Sequence, residues 1–137
     1  MIEIYTDGSY KDGKAGGGIY SKDLNWNEAI KIEEPINSNA VAELITINKA
    51  ITLWKQKQDT INKMMTTIIY TDAKFIVDQI KENNMASYKP HLELIWRRIT
   101  QNKINSKKLL ISWVPSHCGI EGNEQADELA KKGSEIE

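Results

Sequence analysis

Two copies of one tetrapeptide, Ile4-Tyr5-Thr6-Asp7 and Ile69-Tyr70-Thr71-Asp72, each close a strand-like run with an aspartate. Ligands in open α/β sheets sit beyond the carboxyl ends of parallel strands, so two such acids on neighbouring strands would face one crevice. An aspartate after a strand is also a common turn former, and that reading stays open for either position alone. Glu43 is harder to explain away. It lies beside Leu44 and four residues before Ile47, on the apolar stripe of a helical segment, where an unpaired carboxylate is expensive to bury. Asp127 follows Ala126 one turn after Asn123, at the edge of the apolar face of the last helical segment, a place that equally suits an ordinary surface acid.

Convergence of all four acids has a chemical consequence. At an effective dielectric of about 20, two unit charges about 5 Å apart repel by roughly 3 kcal/mol. Divalent cations remove that repulsion, and oxygen ligands without a Cys or His cluster favour the hard ions Mg²⁺ or Mn²⁺ over zinc. Two such ions about 4 Å apart clamp the attacking and leaving oxygens of an in-line phosphoryl displacement.

The elements that must position these acids follow from periodicity. Residues 1–6 alternate apolar and polar and predict a first strand that stops at a turn, Asp7-Gly8-Ser9. Two further strands are predicted from Ala15 and from Ala29, separated by the polar residues 22–27, which makes the first three strands an antiparallel meander. From Ser38 the period changes: Ala40, Leu44, Ile47, Ile51 and Trp54 mark one face of a long helix. Residues 66–71 predict a fourth strand, Phe75, Ile76, Val77 and Ile80 a short helix, and Pro90 the first turn of a third helix with Leu92, Ile95, Trp96 and Ile99 inside. A fifth strand at 109–114 stops before Pro115, and a last helix runs from about Asn123 to Lys132, burying Ala126, Leu129 and Ala130. The order predicts an α/β fold: a five-stranded mixed sheet, three antiparallel strands followed by parallel strands joined through helical crossovers, flanked by helices.

Composition narrows the class. At 137 residues the chain is expected to form a single domain, residues 1–137, and 40% apolar with 27% charged residues excludes intrinsic disorder. A formal charge of -1 offers no global positive field, so a nucleic-acid partner must be held by a local patch. The lone Cys118 cannot pair within the chain, and neither a secretory signal nor a membrane-length apolar run is present, so an intracellular location, cytoplasmic or nuclear, is expected.

With these blocks in place the chain resembles the type 1 ribonucleases H, including the ribonuclease H domains of reverse transcriptases. The resemblance rests on Thr6-Asp7-Gly8-Ser9 with Gly16, Gly17 and Gly18, on residues 39–44 around Glu43, on Tyr70-Thr71-Asp72, and on residues 113–130, which contain His117, Gly119, Asn123 and Asp127. It implies a ribonuclease H-like fold and a two-metal endonuclease that cuts the RNA strand of an RNA/DNA hybrid, leaving a 5′-phosphate and a 3′-hydroxyl. By the resemblance, Asp7 bridges two Mg²⁺ ions, for which Mn²⁺ can substitute. Asp127 completes the site of the nucleophilic water, and Glu43 with Asp72 holds the metal at the leaving oxygen. His117 matches a mobile loop histidine that assists proton movement or product release.

Substrate contacts implied by the resemblance are Asn123 toward phosphate and Ser38 and Asn39 toward the minor groove, although Asn123 could merely cap its helix and Ser38 and Asn39 merely start theirs. The Gly8 backbone and Asn39 are candidates for sensing the 2′-hydroxyl that separates RNA from DNA. Lys74 sits where it could touch either strand or simply be a solvent-exposed lysine, Tyr88 is the one aromatic expected to contact substrate, and Trp26, Trp54, Trp96 and Trp113 suit core or sheet positions. Arg97, Arg98, Lys103, Lys107 and Lys108 fall in a stretch, residues 94–120, without an acid, which could face the DNA strand or simply be a solvated surface. Ala40 and Ala73 depart from the Asn and Ser of many relatives and put secondary hybrid contacts in doubt. Residues 81–89 lack the basic protrusion of many cellular relatives, and no separate hybrid-binding domain is read ahead of Met1. The expected partner is an RNA/DNA hybrid, the expected form a monomer or part of a larger polymerase polypeptide. The competing readings are a catalytically inactive hybrid- or protein-binding scaffold and a DNA nuclease of the same fold.

Overall fold

The computed structural model describes residues 1–57, 66–82, 89–104 and 109–137, with side chains of residues 90–99 described in the helix that ends at Ile104. Its elements are β1 (Ile2–Lys11), β2 (Lys14–Ser21), β3 (Trp26–Ile32), α1 (Asn39–Gln56), β4 (Thr67–Thr71), α2 (Lys74–Glu82), α3 (Lys89–Ile104), β5 (Leu109–Trp113) and α4 (Glu121–Ser134). The sheet order is β3-β2-β1-β4-β5, antiparallel across the first three strands of the chain and parallel where β1 meets β4 and β4 meets β5. This is the predicted mixed sheet. Tyr88, Lys107, Lys108 and the side chain of Lys103 lie outside the described residues.

Three boundaries differ from the sequence reading. β1 does not turn at Asp7-Gly8-Ser9: it continues to Lys11, because antiparallel pairing with β2 persists from Tyr5↔Tyr20 to Lys11↔Lys14 after the parallel pairing with β4 has ended. The turn falls instead at Asp12 and Gly13, whose φ values of 53° and 79° make the tight hairpin connection. β3 begins at Trp26 rather than Ala29, and α4 begins at Glu121, two residues before Asn123. Ile120 precedes α4 without a side-chain cap, and Glu121 and Glu124 compensate by placing negative charge in the first turn.

Helices cover both faces of the sheet. α1 buries Leu44, Ile47, Ile51 and Trp54 against Ile4, Ile19 and Ile69, and its start is fixed by Ser38, whose Oγ accepts the Val41 N–H at 3.3 Å. α4 crosses the opposite face over β1, β2 and β3. A side chain at Gly16 or Gly18 of β2 would run into the α4 backbone, so these glycines set how closely that helix approaches. α3 is tied to α1 by Asn48 Nδ2 donating to the His91 carbonyl at 3.1 Å and by Arg98 donating to the Asn48 carbonyl at 2.8 Å. Trp26 and Trp54 are core residues as expected, the latter donating to Thr67 Oγ1 at 2.9 Å. Trp113 keeps its sheet position but is 43% exposed. Among the described residues no helix is long and apolar enough to cross a membrane.

Candidate active site

Pairing of β1 with β4 ends at Tyr5↔Tyr70, and Asp7 and Asp72 each lie two residues further on, so the repeated tetrapeptide sets both acids at one level of the sheet. Glu43, in the second turn of α1, reaches them because Gly8 lacks a side chain: a Cβ there would meet the backbone of Ala42 and Glu43. The Gly8 N–H donates to Asp7 Oδ1 at 3.0 Å and also serves Glu43. Asp7, Glu43 and Asp72 each offer a carboxylate oxygen, and these oxygens lie within 4.8 Å of one another. Asp127, from α4, faces Asp7 and Asp72, while its Oδ2 pairs with Lys131 Nζ one turn along the helix at 3.1 Å.

Crowding and burial shift all three of the clustered acids upward. Asp7, 5% exposed, is pushed up to about 7, chiefly by burial and then by the charges of Asp72 and Asp127, against a lowering hydrogen bond from Glu43. Glu43, 6% exposed, is raised chiefly by burial, then by its hydrogen bond and charge interaction with Asp7 and by the charge of Asp72. Burial also raises Asp72, with Asp127 adding to the effect, whereas the neighbouring His117 and a hydrogen bond from Asn123 oppose it.

Such a site suits a hard divalent cation. Glu43 Oε2 is buried without a hydrogen-bond partner among the described residues, a costly arrangement for a carboxylate oxygen. Three carboxylates within reach of one another supply the oxygen-only donor set of Mg²⁺ or Mn²⁺, and the raised acids would ionise on binding one.

The remaining sequence candidates fall around this cluster in different ways. His117 is exposed on the β5–α4 loop, in the left-handed region at φ 54°, close enough for its charge to act on Asp72. Asn123 is 3% exposed, inside the first turn of α4 rather than ahead of it, and its side chain lies close enough to Asp72 to hold that carboxyl down instead of capping the helix. Asn39 Oδ1 accepts the Tyr10 N–H at 2.8 Å, which fixes the amide and leaves its NH₂ group as the one it can present outward. Lys74 is exposed at the start of α2, with Nζ 6.0 Å from the centre of the Trp113 ring. Arg97 pairs with Glu93 at 3.1 Å and Arg98 is bound to α1, so the described arginines of the basic stretch have intramolecular partners. Two features were missed by the sequence reading: the exposure of Trp113 beneath Lys74, and the Asp127–Lys131 pair, whose i,i+4 spacing on a helix was its available signal.

Comparison with known proteins gives the same direction. The RNase H family model matches residues 1–135. Ribonuclease H of Francisella philomiragia is 31% identical, covering 96% of this chain and 89% of that protein. Ribonuclease H of Brucella anthropi is also 31% identical, over 98% of this chain and 90% of its own length. Among solved structures, LC11-RNase H1 in complex with RNA/DNA hybrid superposes with a TM-score of 0.68 at 23% identity, covering 98% of this chain and 96% of that chain. The foamy viral protease-reverse transcriptase in complex with dsDNA gives a TM-score of 0.64 at 21% identity, over 98% and 94% respectively. The structural likenesses establish a shared fold, and the family model spans nearly the whole sequence: the chain belongs to the RNase H family of enzymes.

Proposed function

We propose that residues 1–137 act as one catalytic domain that hydrolyses the RNA strand of RNA/DNA hybrids, leaving a 5′-phosphate and a 3′-hydroxyl. The observation that carries this reading is the convergence of Asp7, Glu43 and Asp72 from three different elements onto one hard-cation site, with Asp127 alongside. Two Mg²⁺ ions, replaceable by Mn²⁺, would be held by these four acids and when bound would activate the attacking water and neutralise charge on the leaving oxygen. The relatives named Ribonuclease H support the substrate class.

The chain's own groups then have defined tasks. Gly8 N–H and Asn123 fix the carboxylates before substrate arrives, which lowers the reorganisation required of the site. His117, exposed and beside Asp72, is placed to carry a proton between solvent and the departing oxygen without being part of the buried cluster. Asn39, anchored through its oxygen to Tyr10, presents a donor suited to minor-groove acceptors and to a ribose 2′-oxygen. Lys74 contributes a positive charge at the Asp72 end of the site.

Four labelled duplexes test the reading: RNA/DNA, RNA/RNA, DNA/DNA and a DNA duplex with one embedded ribonucleotide, each with Mg²⁺ and with chelator. Cleavage confined to the RNA strand of the hybrid, dependent on metal, is the expected result. Binding without cleavage would support an inactive scaffold, and cutting of DNA/DNA would support a DNA nuclease.

A further inference from the structure

Next to the carboxylates runs a trough lined by residues from both ends of the chain. Asp7, Ser9 and Lys11 follow one another on the face of β1 turned to α4, because strand side chains alternate and Gly18, Gly16 and Lys14 stand opposite them in β2. On α4 the matching succession is Asp127, Lys131 and Ser134. Ser9, Lys11, Lys14, Lys131 and Ser134, with the acids Asp12 and Glu135, line a cavity of about 490 Å³. Lys131 lies in this wall and also pairs with Asp127 one helical turn away, which sets the cavity beside the carboxylate site.

We propose that this trough binds the phosphodiester backbone of the substrate strand a few nucleotides from the bond that is cut, an inference that rests on the ribonuclease reading above. Its length fits: the four residue steps from Asp7 to Lys11 span about 13 Å of strand, and duplex nucleic acid advances about 3.4 Å along its axis per nucleotide of each strand. Laid along the duplex axis, the trough therefore accompanies about four nucleotides. Its charge fits as well. Three lysines face two acids there, in a chain whose overall charge is -1. Lys11 has no ion-pair partner among the described residues, and the Lys14–Glu135 contact, 3.4 Å long with both side chains more than 60% exposed, is a solvent-screened surface pair easily exchanged for a phosphate.

Electrostatics also requires a feature of this kind. Four clustered acids repel a polyanion, so an approaching strand needs cations close by. Lysine charges assembled from the β1–β2 hairpin and from α4 meet that need beside the site, although no basic run in the sequence announces them.

The test uses Lys11→Ala/Lys14→Ala, with Lys22→Ala/Lys49→Ala as a control that removes the same charge from exposed positions outside the trough. Melting curves check folding, and Lys11→Ala alone provides a second variant that leaves the Lys14–Glu135 pair in place. Steady-state cleavage is measured on hybrids with a fixed cut site, shortened stepwise on one side or the other. The trough double variant is expected to raise KM about three- to tenfold with kcat unchanged, Lys11→Ala about half as much on a logarithmic scale. The parent should lose affinity when one flank is shortened to fewer than about four nucleotides, and the variant should be indifferent to that shortening. A KM equal to that of the control pair, or a penalty independent of flank length, overturns the trough while leaving the ribonuclease reading intact. An unmodified protein that cleaves no hybrid overturns that reading itself, and binding of a free acidic peptide that the lysine substitutions abolish, with no change in KM for hybrid, would assign the trough to a protein partner instead.

Discussion

Asp7 is buried and faces three other acids, so in the metal-free protein its negative charge is held at a cost to the fold. Removing its charge should therefore help the fold while ending catalysis. Asp7→Asn is expected to reduce hybrid cleavage at least 10³-fold and, in chelator, to raise Tm by about 3–5 °C, the shift that roughly 1 kcal/mol produces in a domain of this size. The gain has a pH dependence whose sign is fixed. A carboxyl whose folded pKa lies above its unfolded value takes up protons on folding, so the wild-type protein loses stability as pH rises through about 7 and recovers it on acidification toward 5. Melting temperatures of both proteins in chelator from pH 5 to 8 should diverge toward the alkaline end, and a constant difference would remove Asp7 from the centre of the cluster. His117 belongs to the opposite class, exposed and outside the buried set. His117→Ala should slow multiple turnover by about 10²-fold, at the low end of general acid–base effects, yet leave slow cleavage detectable. Identical steady-state rates for mutant and parent would reduce His117 to a loop residue.

At the scale of elements, what could be read in the sequence depended on how local its cause was. The apolar stripe of α1 and the repeated strand-end aspartates are local patterns, and both delivered their residues to the place expected. Glu43 was identifiable because a carboxylate on an apolar stripe contradicts its neighbours. The end of β1 was not, since Gly8 and Ser9 have turn chemistry and only their pairing with Gly17 and Gly16 of β2 keeps the strand extended. The start of α4 was hidden likewise, because Ile120 carries no capping side chain. Gly16 and Gly18 of β2 have a further duty: they let α4 lie close enough to bring Asp127 to the site. Gly18→Ala places a methyl group against the Ala126 carbonyl, which belongs to the residue before Asp127. Overpacking of this kind typically destabilises by about 1–3 kcal/mol. The substitution should lower Tm by several degrees and also cut activity at temperatures where the variant is fully folded, because Asp127 is displaced with its helix. Full activity in the folded variant would show that α4 can shift without moving Asp127.

For the molecule as a whole the governing quantity is charge. A chain of formal charge -1 with an acidic active site has few cations to offer a duplex, and the described ones near the site are Lys11, Lys14, Lys74 and Lys131. None of these forms a run in the sequence, and so the surface was less legible than the acids it surrounds. Each neutralised phosphate contributes about 0.9 to the slope of log affinity against log salt for a B-form duplex, so up to four contacts give a slope of about two to four for the hybrid. Binding should accordingly be weak at physiological salt and cutting distributive, with the protein leaving each hybrid after one or a few cleavages. Titration of Asp7→Asn with labelled hybrid across a salt series in Mg²⁺ measures the slope, and a trap of unlabelled hybrid added after the first turnover measures processivity in the parent. A slope steeper than about six, or successive cuts that survive the trap, would require a cationic surface larger than these four lysines.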